Sequence, residues 1–423
     1  MSQTTHPQLQ RNLGTFAAIM LGLGAMIGTG VCVSIGIAAG VAGPAVILAV
    51  GLAALVAICN GLSSAQLAAS HPVSGGSYEY GYRYLNPALG FTAGWMFLIA
   101  KSASAATAAL GFAGYVLHAL SFSSDHLIPL ALGAVVLLTL VVMGGMRRSH
   151  FANLGIVTIT LLALLVFVAA GVPQITVTNF TPVFPSENSF AAVLQATALM
   201  FVAYTGYGRI ATLGEEVRRP RRTIPRAIIA TMVITALLYM AVATVSIGVL
   251  GAGEFHAATA GDAAPLAVVA ERFALPYTPQ WLAVGAITAM LGVLLNLLLG
   301  LSRMLLAMAR RGDMPAVFTQ LNTARTTPNR SILAMALLIS ALVLIGDVRL
   351  TWSFSAFTVL VYYAITNLAA LRLPAEQQLY PRWIAALGLA ACLFLAVWVD
   401  VYTLLIGLAL IGTGLVWHRI AAC

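Results

Sequence analysis

Ile27-Gly28-Thr29-Gly30 interrupts an apolar run that covers residues 13–39. Two glycines this close weaken a helix, each by roughly 1 kcal/mol against alanine. Inside a bilayer, every backbone N–H and C=O freed by such a break must find another partner. A run long enough to span, with its weak point near mid-depth, therefore predicts a helix broken so that its backbone lines a cavity. A second interruption, Gly206-Tyr207-Gly208, lies in the apolar run 190–213. Small residues also let helices pack closely, and either pair alone fits that use. Glycine-interrupted segments at corresponding places in two halves of a chain point instead to a transport site.

Composition sets the class. Hydrophobic residues make up 61% of the 423 and charged residues 8%, against roughly 25% charged in a soluble domain. An all-α polytopic membrane protein is expected. Residues 1–12 are polar, and the apolar run that follows is too long for a cleavable signal and leads into further spans. Cys32, Cys59, Cys392 and Cys423 have no metal or disulfide spacing and read as small core residues, with no metal and no cofactor implied. The formal charge of +9 comes from 20 arginines and one lysine against 12 acids. The arginines cluster in alternate short loops, which signals topology and excludes a nucleic-acid groove.

Apolar runs of about 20 residues, each enough for a ~30 Å hydrocarbon core, fall at 14–39, 44–66, 90–118, 127–145, 151–171, 189–213, 225–251, 280–309, 331–346, 352–371, 382–397 and 400–418. Twelve spans are predicted. With the N-terminus inside, sixteen arginines, among them Arg11, Arg147, Arg148 and Arg325, face the cytoplasm, and only Arg272 and Arg349 lie outside. Both termini are then cytoplasmic. Five spans beginning inside and five beginning outside make an inverted repeat. The divisions are a cytoplasmic N-terminus at 1–13, a first repeat at 14–171, a second at 189–371, and an added pair of spans at 382–418.

The first break is expected to expose the N–H groups of residues 31–34, beginning with Val31, to a carboxylate. The second, Tyr204-Thr205-Gly206-Tyr207, offers carbonyls to an ammonium group. Facing each other, the two would hold an amino acid by its α-carboxylate and α-amino groups, although another small zwitterion satisfies the same argument.

Further stretches carry a family resemblance. They are Pro72-Val73-Ser74-Gly75-Gly76-Ser77-Tyr78, residues 90–95 at the start of span three, and Gly214-Glu215-Glu216-Val217-Arg218-Arg219-Pro220 with its basic continuation. Ala309-Arg310-Arg311-Gly312-Asp313-Met314-Pro315 and Tyr362-Tyr363-Ala364-Ile365-Thr366-Asn367-Leu368 complete the set. Together with Gly28-Thr29-Gly30, the chain resembles bacterial members of the amino acid–polyamine–organocation (APC) superfamily over spans one to ten. The resemblance implies the leucine-transporter-type fold with discontinuous first and sixth spans. It also implies alternating-access transport of amino acids or related amines. The substrate-binding positions it implies are Ile27, Gly28, Thr29, Gly30 and Val31 in the first break, and Tyr204, Thr205, Gly206 and Tyr207 in the second. Phe201 and Tyr207 are candidates for an aromatic lid, with core packing an equal alternative for Phe201.

The chain departs from that family pattern in three places. Where many relatives carry an acid beyond the second break it has Gly208, followed by Arg209. Where proton-coupled relatives carry a span-five lysine it has Thr160. Its one lysine, Lys101, lies inside span three, and an ionisable group within a span is a functional candidate by default. Lys101 is expected either to serve as the coupling or substrate-sensing charge or to pin the structure by snorkelling or by pairing with carbonyls. Arg209 is expected to neutralise Glu215 or Glu216, and Arg303 to anchor the end of span eight. Asn296 and Thr288 either line the cavity or hydrogen-bond between helices.

These readings favour a secondary transporter (permease, exchanger or exporter) of the bacterial inner membrane. Its substrate would be an amino acid, and protons or a counter-substrate would couple it. Because no acid is placed in a span, a neutral amino acid is favoured over a cationic one or a polyamine. An enzyme would need a clustered acid, base or metal set; His118 and His126, the nearest histidine pair, are expected to be simply solvated at an outer helix end. A channel would need filter residues repeated around an oligomer. A solute receptor on a transporter scaffold would share the binding site.

Overall fold

The structure is a computed structural model that describes residues 13–72, 75–144, 150–184, 189–211, 217–322 and 327–421. Arg11, Arg147, Arg148, Arg325, Glu187, Glu215, Glu216, Cys423 and the Val73-Ser74 step of the loop motif lie outside them. Among the described residues there is no β-strand, only an isolated bridge that pairs Leu13 with Val217.

The helices are, in order, α1 (Thr15–Met26), α2 (Thr29–Cys32), α3 (Ser34–Ala42), α4 (Val46–Ser70), α5 (Ser77–Tyr84), α6 (Pro87–Ala119), α7 (Leu127–Met143), α8 (His150–Gly171), α9 (Ser189–Tyr204), α10 (Gly208–Ala211), α11 (Pro220–Leu250), α12 (Ala252–Asp262), α13 (Pro265–Ala270), α14 (Thr278–Arg311), α15 (Asn329–Val343), α16 (Val348–Leu371), α17 (Arg382–Val397) and α18 (Val401–Ala421). Among the described residues, nine helical stretches are long and apolar enough to cross a membrane. One of them, Thr29–Ser70, runs through α2, α3 and α4. Three expected spans involve the shorter apolar helices α1, α15 and α17. This is a multi-pass membrane protein.

Local chemistry sets several helix ends. Asn86 caps α6 by accepting the Leu89 N–H at 2.8 Å, with Pro87 at the first helical position, where its missing N–H is no loss. Asp347 caps α16 by accepting the N–H groups of Arg349 (2.7 Å) and Leu350 (3.1 Å). The core gathers around the helices that carry the breaks. α6 packs between α14 and α16, while α4 packs on α9 and α11. α18 touches the body through α6 and α16, and much of its apolar surface is exposed, as on a helix facing lipid.

Candidate functional site

The first break forms at Ile27–Gly28. The Ile27 N–H still reaches the Leu23 carbonyl at 2.7 Å, but Ile27 is extended (φ −80°, ψ 108°) and α1 stops. One helical turn, α2, follows before a second kink at Val33. The N–H groups of Val31 and Cys32 both donate to the Gly28 carbonyl, at 3.1 and 2.9 Å, and that of Val33 donates to Thr29 at 3.1 Å. This corrects the expectation that the donors from Val31 onward stand free, because a single turn is enough to close hydrogen bonds on the residue before it. An unpaired group lies earlier: among the described residues the buried Thr29 hydroxyl has no partner.

At the second break α9 tightens into a 3-10 turn at Thr205–Tyr207 and resumes as α10. Here too one expected free group is occupied, since the Thr205 carbonyl accepts the Tyr363 hydroxyl at 3.1 Å. The Thr205 hydroxyl donates to the Val202 carbonyl at 2.7 Å.

The two breaks touch. A Cβ added at Gly206 would lie 2.5 Å from the carbonyl carbon of Ala25 and 2.5 Å from Cγ of Met26. Gly30 is equally committed, because a Cβ there would lie 2.9 Å from Cβ of Ala203 on α9. Tyr239 of α11 fastens the junction by donating to the Met26 carbonyl at 2.6 Å, 3.4 Å from the Ala203 carbonyl. Tyr239→Phe would strand the Met26 carbonyl, so a loss of about 1–3 kcal/mol is expected, read as a lower thermal midpoint of the purified protein. An unchanged midpoint would mean that this carbonyl has another donor.

Two cavities open at the junction. The smaller, about 40 Å³, is lined among others by Thr29, Gly30, Lys101, Thr205, Gly206 and Trp352. The larger, about 210 Å³, shares Lys101, Thr205 and Gly206 and extends past Asn296 to Arg209 and Arg303. Lys101 thus stands on the wall common to both, and its Nζ donates to Thr205 Oγ1 at 2.8 Å. The Asn296 side-chain amide is buried without a partner among the described residues. Buried polar groups are nearly always hydrogen-bonded, so a set of unpaired ones around a cavity marks where a polar ligand fits.

Of the residues singled out in the sequence, Thr29, Gly30, Thr205, Gly206, Lys101, Arg209 and Asn296 line one cavity or both. Ile27, Gly28, Val31, Phe201, Tyr204 and Tyr207 line neither. Phe201 and Tyr207 pack on Tyr363, with ring centres 5.7 and 5.3 Å away, and the Tyr204 hydroxyl donates to the Val50 carbonyl. Thr160 joins α8 to α14, with Oγ1 2.9 Å from the Ile156 carbonyl and 3.3 Å from that of Gly285. Thr288 donates to carbonyls of its own helix. The structure adds Trp352, whose indole N–H donates to the Leu199 carbonyl at 2.9 Å, and Tyr239. Neither had a sequence signal beyond being aromatic in an apolar run. Tyr363 lay within a quoted motif without an assigned role.

Next to the first break, Tyr115 ties three helices together. The Tyr115 hydroxyl donates to the Cys32 carbonyl at 3.0 Å and accepts the Leu266 N–H at 3.2 Å, joining α6 to α2 and α13. His118, expected to be simply solvated, has Nε2 3.0 Å from Glu271 Oε1.

A family model described as amino acid permease matches residues 17–419. An uncharacterised transporter of Mycobacterium tuberculosis is 38% identical over 96% of this chain and 90% of its own length. The branched-chain amino acid permease BcaP of Bacillus subtilis is 30% identical over 76% of this chain and 71% of its own. Cationic amino acid transporter 4 of Homo sapiens is 31% identical over 87% of this chain and 61% of its own. With its two meeting helix breaks and a match along nearly its whole length, the chain belongs to the amino acid permease family of the APC superfamily and is a membrane transporter for amino acids.

Proposed function

We propose that the chain is a secondary transporter that carries one amino acid at a time between its two broken helices by alternating access. The observation that carries this reading is the contact of Gly206 with Ala25 and Met26, which puts both interruptions on one cavity. The Thr29 hydroxyl, buried without a partner among the described residues on the wall of the small cavity, is a donor for an α-carboxylate. Carbonyls at the end of α1, such as that of Ala25, are acceptors for the α-amino group. In the proposed architecture there are twelve spans. α1–α8 and α9–α16 form two inverted five-span repeats, and α17 and α18 are an addition. Both termini face the cytoplasm of a bacterial inner membrane. The arginine-lined cavity then opens inward, while Tyr115 closes the outer side.

The lining limits the substrate. Among the described residues no aspartate or glutamate lines either cavity, whereas Lys101 does, so a cationic side chain or a polyamine would meet repulsion without a counter-charge. An uncharged side chain fits the apolar wall of Val293, Leu297 and Trp352. Counterflow of labelled amino acids into liposomes containing the purified protein tests this reading, with saturable exchange as the expected result. An amine lacking the α-carboxylate should compete about tenfold or more weakly, the loss of a charge-assisted hydrogen bond. Binding without any exchange would replace the carrier with a receptor.

A further inference from the structure

Lys101 is the one lysine of the chain and is only 9% exposed, deep in α6. Its ammonium has three hydrogens. One is accepted by Thr205 Oγ1, which donates its own hydrogen to the Val202 carbonyl and so acts toward Lys101 as a neutral acceptor. Among the described residues no carboxylate lies within ion-pair distance of Lys101, and no other protein acceptor is found for it. An ammonium buried this way is several kcal/mol dearer than one in water unless an anion accompanies it.

The surroundings make the deficit larger. Arg303 lines the larger cavity and adds a second positive charge. A zwitterionic substrate held at the breaks brings no net charge and uses its one carboxylate at the first break, on the Thr29 donor. An uncharged side chain would therefore leave Lys101 as it is. A second carboxylate on the substrate would reach the shared wall of the two cavities, neutralise Lys101 and face Arg303.

We propose that the preferred substrates are amino acids with an acidic side chain, whose second carboxylate pairs with Lys101 at the wall between the two cavities. This rests on the reading of the breaks as the amino acid site. Lys101 then determines specificity by charge: it attracts a dicarboxylic amino acid, tolerates an uncharged one and repels a cationic one.

The test is counterflow in liposomes with labelled L-glutamate and L-aspartate, competed by glutamine, asparagine, leucine and arginine. In the unsubstituted protein glutamate should outcompete glutamine by about ten- to a hundredfold, the range of a lost charge-assisted hydrogen bond. Lys101→Gln should erase that preference, and Arg303→Gln should reduce it by a smaller factor. Should Lys101→Gln fail to insert, the glutamate-to-glutamine ratio of the unsubstituted protein decides alone. Exchange of leucine or glutamine with no competition from glutamate overturns this inference and leaves the carrier intact. An acidic preference that survives Lys101→Gln removes Lys101 as its cause. Exchange of no amino acid at all overturns the carrier reading as well.

Discussion

Gly206→Ala is expected to weaken amino acid binding about a hundredfold while the protein still inserts and purifies. The added methyl group would overlap the Ala25 carbonyl and lie 2.5 Å from Met26 Cγ, and the carbonyl belongs to backbone that no side-chain rotation can move. α1 and the 3-10 turn at Thr205–Tyr207 would have to separate, and residues of both line the small cavity. Overpacking of this kind amounts to about 1–3 kcal/mol or more. Transferred to the site, that is about a hundredfold loss of affinity. The matching change at Gly28 is expected to be milder. A Cβ there would meet Val293 Cγ2 at 2.6 Å, a side chain that can rotate, and the nearest backbone atom is the Ala289 carbonyl oxygen at 3.5 Å. Ligand-induced thermal shift on both variants measures this order. Gly206→Ala with undiminished binding would contradict the site.

Asp313→Ala is expected to give the largest loss of stability. Asp313 follows α14, is 5% exposed, and gathers donors from two other helices. Tyr78 donates to it at 2.6 Å and Tyr82 at 2.8 Å, both from α5, and His418 Nδ1 of α18 lies 3.4 Å away. Arg311 lies over the Tyr82 ring, 4.1 Å from its centre, and bonds Glu79 at 2.6 Å, so charges and rings form one block. Burial, and then the bond to Asp313, push both phenols above their ordinary range, so they stay protonated as donors. Removing the carboxylate strands both hydroxyls, a loss of about 3–5 kcal/mol. The thermal midpoint should fall by several degrees, and Asp313→Asn, which keeps an acceptor oxygen, should lose less. A midpoint unchanged in Asp313→Ala would mean that the tyrosines find water or other acceptors.

The helices were legible because hydropathy acts along the chain. α6 and α14 begin and end within three residues of the apolar runs that announced them, and the glycine pairs located both interruptions. The breaks themselves were less legible in detail. A turn as short as α2 depends on whether Val31 and Cys32 can both close on Gly28, which composition does not state. Lys101 stood out as an ion in a span, yet its partner is 104 residues away. Asp313 belonged to a recognisable stretch, but its tyrosines come from another helix.

The sequence by itself determined the all-helical membrane class, the family, and which two segments break, because burial in lipid and glycine's low helix propensity are properties of a residue and its near neighbours. Only the tertiary structure decided that Gly206 rests on Ala25 and Met26, that Tyr363 occupies the Thr205 carbonyl, and that Lys101 stands between two cavities with no acid lining them among the described residues. Those outcomes depend on which groups meet across helices far apart in the chain, where packing and the pairing of buried polar atoms choose among many partners of similar chemistry.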